Sequence, residues 1–133
     1  MRKKLYRDYA IQAFVFWARE GCPDAEGYMT RIEAESEKHR DPEMYIASRL
    51  AEVYDIAACC EVFARFEEAG RSEICDAVRA VYMAEPSRKP KREEISARVI
   101  AFSFDAPASE RSVYGWLEKA LREFARCRAM RIE

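Results

Sequence analysis

The segment Ala-Ser-Glu-Arg-Ser-Val-Tyr-Gly-Trp-Leu, residues 108–117, concentrates the side chains of this 133-residue chain best suited to chemistry, and that chemistry is recognition. Ser109 is placed to cap a helix by accepting a backbone N–H hydrogen bond. Val113, Leu117, Ala120, Phe124 and Cys127 then follow at a 4-3-4-3 spacing, which puts them on one helical face. The opposite face holds Arg111, Gly115, Glu118 and Arg122, flanked by Ser112, Tyr114 and Lys119. A guanidinium donates twice to guanine O6 and N7 in the major groove, so Arg111 is the candidate base reader. Ser109, Ser112, Tyr114 and Lys119 suit phosphate oxygens, which fix register without reading sequence. Gly115 is the odd member, because a mid-helix glycine on an exposed face costs ~1 kcal/mol relative to alanine. Either it lets the backbone approach DNA or a partner helix closely, or it is simply tolerated.

Other chemistries find little to work with. The single histidine, His39, lies in a charged run, so serine or cysteine catalysis would rest on one surface imidazole. Cys22, Cys59, Cys60, Cys75 and Cys127 are odd in number and contain no C-x-x-C spacing, which favours reduced thiols in a cytoplasmic setting over disulfides or zinc. No glycine-rich phosphate loop occurs, and the carboxylates of EAESEK and FEEAGRSE read as solvated helix faces. No enzyme activity and no cofactor are expected. The basic start and apolar run of MRKKLYRDYAIQAFVFWA are interrupted by Arg7 and Asp8, and the apolar part is too short to span a bilayer; it reads as a buried helix with no membrane role.

The elements that must position the recognition residues are all helical. Tyr6, Tyr9, Ala10, Ala13, Phe16 and Trp17 share one face of a first helix that Gly21 ends, and Pro23 suits the first turn of the next. A polar run over 32–43 leads to Asp41-Pro42, a start signal for a long third helix with a seam at Ile46, Leu50, Val53, Ala57, Cys60 and Ala64. A fourth helix from about Ser72 turns Ile74, Val78, Val81 and Tyr82 inward. After the Pro- and Lys/Arg-rich stretch 85–93 come two further helices, broken apart by DAPAS at 105–109. The expected fold is therefore all-α with about six helices: a helical body over 1–85, a linker over 86–92 and a helix-turn-helix over 93–133.

Charge follows the same division. The net −1 hides 12 Lys/Arg against 17 Asp/Glu in residues 1–85 and 11 against 7 in residues 86–133, that is −5 and +4. Arg88, Lys89, Lys91 and Arg92 would neutralise phosphates beside the groove, or form a solvated linker.

Two helices joined by a short turn, the second opening on Ser-x-x-Ser-Val, match the spacing of a DNA-binding helix-turn-helix. Residues 77–132 further resemble the phage and prophage transcriptional regulators of the ArpU and RinA kind. The likeness rests on Val81-Tyr82 closing one helix, then Ser-Glu-Arg-Ser-Val-Tyr-x-Trp-Leu at 109–117, Lys-Ala-Leu-x-x-Phe-Ala at 119–125 and Arg-x-x-Arg-Ile at 128–132. The resemblance implies a sigma-region-4-like helix-turn-helix that binds double-stranded DNA, with the acidic body serving homodimer formation or contact with RNA polymerase. Two rival readings share the helical fold: a protein-binding adaptor whose last helix is the docking face, and a small subunit of a DNA-packaging terminase.

Overall fold

The computed structural model describes residues 5–132, and these form six helices: α1 (Leu5–Arg19), α2 (Ala25–Ser36), α3 (Pro42–Glu68), α4 (Ser72–Val81), α5 (Arg92–Asp105) and α6 (Glu110–Cys127). No strand occurs among the described residues. The expected all-α class and helix number hold.

Local chemistry sets most helix ends. Asp24, Asp41 and Ser109 each occupy an N-cap, accepting from the backbone N–H of Gly27, Met44 and Ser112 respectively. Pro42 stands in the first turn of α3, where its missing N–H costs nothing. Pro23 falls one residue before the Asp24 cap instead of inside α2, and its carbonyl accepts from Trp17 Nε1 at 2.9 Å. Gly21 and Gly70 close α1 and α3 at φ 86° and 72°, a left-handed turn that a Cβ would disfavour.

Packing centres on α6, which contacts α1, α3, α4 and α5. Val113, Leu117, Ala120, Leu121, Phe124 and Ala125 are buried along its inner face. The Phe124 ring lies tilted against Phe14 at 5.7 Å and Tyr9 at 6.2 Å between centres, both on α1. Phe14 also meets Phe63 of α3 at 6.0 Å, and Trp17 meets Phe63 edge-on at 5.0 Å. One apolar core thus runs from Tyr6 to Ala125, across the acidic and basic halves alike. Tilted and edge-on aromatic pairs of this kind add about 0.5–1.5 kcal/mol each beyond the area they bury.

The seam expected on α3 is rotated. Ile56, Ala58, Cys59, Val62 and Phe63 are buried, whereas Ala57 and Ala64 are exposed and Cys60 is half-buried. The cause is a change of partner along a 27-residue helix: α2 also packs on it, beside α1, α4 and α6. The polar run over 32–43 is also partly helical, since α2 continues to Ser36 and buries Ile32 and Ser36.

The connection over 82–91 is fastened to the body at three points. Arg19 Nε donates to the Pro86 carbonyl at 2.8 Å, Lys89 Nζ meets Asp8 at 2.8 Å, and Pro90 is buried. Arg98 Nη1 donates to the Val81 carbonyl at 2.9 Å, tying α5 back to the end of α4.

Candidate nucleic-acid interface

α5 and α6 are joined by residues 106–109, and α4 packs on both. Their contact is fixed from both sides: Val99 and Val113 are fully buried, and Phe102 meets Trp116 edge-on at 6.5 Å. Ala108 packs half-buried against the same core. Ser109 starts α6, accepting from Ser112 N at 3.0 Å while its hydroxyl bonds the Ser112 hydroxyl at 3.0 Å. These two serines are therefore engaged with each other, and the hydroxyls remain exposed.

With the inner face of α6 committed to the core, its outer face presents Arg111, Ser112, Gly115, Lys119 and Arg122, of which all but the half-buried Arg122 are exposed. Arg111, Lys119 and Arg122 form no salt bridge among the described residues. Sequence reasoning missed a fourth cation on this face, Arg126, although the spacing 111, 115, 119, 122, 126 continues the helical stripe. Arg126 is paired with Glu123 at 2.8 Å, and Glu123 also binds Arg65 of α3. Lys119, Arg122 and Arg126 rim a shallow depression of about 200 Å³ floored by Phe66. No atom lies within 4 Å of a Cβ built on Gly115, so this position is open to solvent.

Two residues placed on the outer face by spacing alone have other roles. Glu118 accepts from the Tyr6 hydroxyl at 2.6 Å and pairs with Arg7, so it locks α6 to α1. Tyr114 turns to the α1 side, where it lines a cleft with Arg7, Lys89, Pro90 and Arg92.

The basic connection is divided in the same way. Arg88 makes a two-pronged contact with Glu94, at 2.8 and 3.0 Å, and Lys89 is held by Asp8. The Arg88 guanidinium, aided by the Lys91 backbone N–H, holds the Glu94 carboxyl down to about 2. Lys91 and Arg92 stand exposed at the start of α5, with no salt bridge among the described residues. The structure therefore brings Arg111, Ser112, Gly115, Lys119 and Arg122 together on one face, sets Lys91 and Arg92 at the α5 N-terminus, and internally neutralises Arg88 and Lys89.

Cys59 and Cys75 are buried, Cys60 and Cys127 half-buried, and Cys22 and His39 exposed. Burial pushes the Cys59 thiol well above its ordinary value, and His39 stacks on Tyr45 at 3.9 Å between ring centres.

No family model matches the chain, and comparison with curated proteins and with solved structures returned no match.

Proposed function

We propose that this protein is a sequence-specific binder of double-stranded DNA that regulates transcription, in the manner of phage or prophage regulators. The observation that carries the reading is the outer face of α6. Its inner side is core, and its outer side offers Arg111, Lys119 and Arg122 without a salt bridge among the described residues, around an unobstructed Gly115. A helix seated in the core behind and cationic in front suits insertion into a major groove. Arg111, in the first turn, is the base reader; Ser112, Lys119 and Arg122 hold phosphates, with Lys91 and Arg92 added from the start of α5. Arg88 and Lys89 contribute less than their number suggests, because each must first leave a carboxylate.

The test begins with selection of bound sequences from a random duplex pool. Binding to the selected duplex and to a scrambled one is then followed by fluorescence anisotropy over a salt series. Arg111→Ala should lose about 1–3 kcal/mol on the selected duplex and relax one base position. Lys119→Ala should weaken both duplexes alike and make the salt slope shallower by about 0.9. Selection that enriches nothing, together with salt-independent anisotropy, refutes the reading.

A second reading, a protein-binding adaptor, is favoured by α5. Its outer side exposes Ile100 by 42% and Phe104 by 80%, with the exposed Ala97 and Ala101 on the same stripe. It would bind a partner protein and show no affinity for the duplex pool.

A further inference from the structure

The cleft that receives Tyr114 is a different kind of surface from the α6 face. It has a volume of about 420 Å³ and lies between α1, the 82–91 connection and the first turns of α5 and α6. That size falls within the range of small-molecule sites, about 300–1,000 Å³. Its apolar wall is built by Ile11 and Pro90, both buried, and by the half-buried Ile95. Its charged lining is Arg7, Lys89 and Arg92 against the single carboxylate of Asp8. Arg7 is engaged by Glu118 and Lys89 by Asp8, which leaves Arg92 with no salt bridge among the described residues.

We propose that this cleft binds a small amphipathic organic anion, a carboxylate carried on a compact apolar body. The carboxylate meets Arg92, and the apolar body covers Ile11, Pro90 and Ile95. Each half of the lining excludes a competing ligand. A duplex is too wide for a pocket of this size, and a bare inorganic anion would leave the apolar wall wet. A cation would be repelled by Arg92, which no salt bridge among the described residues offsets. Because Tyr114 belongs to α6, an occupant touches the helix that carries the cationic outer face, yet its binding does not depend on that face having a DNA partner.

The test uses 2-naphthoate as the probe, measured on the full chain by isothermal titration calorimetry. A ligand of this size is expected to bind one to one with a Kd of about 1 mM or tighter. Acetate, inorganic phosphate and the uncharged 2-naphthalenemethanol should each bind at least about tenfold more weakly. Arg92→Gln and Ile95→Ala, both checked for native helicity by circular dichroism, should each lower affinity by about tenfold or more. Absence of binding overturns the proposal, as does equal affinity in both folded variants. A loss confined to Arg92→Gln, with acetate binding as well as naphthoate, shows a plain anion site and overturns the amphipathic class.

Discussion

Gly115→Ala separates what the fold needs at this position from what recognition needs. Gly115 lies inside α6, five residues past its first residue, and is exposed. It carries no positive φ, and a Cβ built there meets nothing within 4 Å. The substitution therefore adds no clash and removes the conformational freedom that glycine loses on folding. It should stabilise the protein by about 1 kcal/mol. For a chain of this length the midpoint should rise by about 3 °C. Thermal and urea unfolding followed by circular dichroism read this directly, with the urea m-value unchanged. If the open face receives a DNA backbone or base edge at close range, the same methyl should weaken binding to the selected duplex while the fold gains stability. A fall in the midpoint would refute the placement of Gly115 on an open helical face. A rise in stability with unchanged duplex affinity would keep the placement and refute the close-approach role.

Ala129 adopts φ 55° just beyond α6, where the Met130 N–H reaches back to the Ala125 carbonyl at 2.8 Å, so Ala129→Gly should stabilise by about 1 kcal/mol in urea unfolding. Phe124→Ala removes a fully buried ring lying against Tyr9 and Phe14, and should cost about 3–5 kcal/mol by the same measurement. Phe104→Ser changes an 80% exposed ring and should leave stability within about 0.5 kcal/mol. The Glu94 carboxyl, held down to about 2 chiefly by Arg88, lies below the unfolded value of about 4.3. Its contribution is present above that unfolded value and is lost as pH falls through 2. The midpoint difference between wild type and Arg88→Ala, measured by thermal melts, should therefore be largest near neutrality and shrink towards about pH 2.

What the sequence made legible follows from the range over which its signals act. The inner face of α6 could be read because Val113, Leu117, Ala120 and Phe124 repeat at a local helical spacing, and all four are buried. The caps at Asp41 and Ser109 are equally local, each acting three residues ahead. The face of α3 could not be read so well, because different helices cover different stretches of it and no single repeat describes the result. Contacts between distant parts left no trace in the spacing at all. Glu118 meets Tyr6 across 112 positions, and Lys89 meets Asp8 across 81. Such pairs decide which charges remain available to a ligand, which is why Arg88 and Lys89 looked as free as Arg92 in the sequence.

The charge division between residues 1–85 and 86–133 is a division of surface, while the core ignores it. Phe124 of the basic half is covered by Phe14 and Tyr9 of the acidic half, and Arg128 Nε reaches Asp55 of α3 at 2.8 Å. The acidic helices therefore do more than supply a partner surface: they complete the hydrophobic seat of α6. That seat holds in place the helix that carries the outward cations. Mutual repulsion on the outer face is opposed by burial of six apolar side chains on the inner one, of which Val113, Leu117, Leu121 and Phe124 are each worth roughly 1.5–3 kcal/mol. A ligand on the outer face would meet a helix whose ordering cost was met during folding, with Arg111, Lys119 and Arg122 in no salt bridge among the described residues.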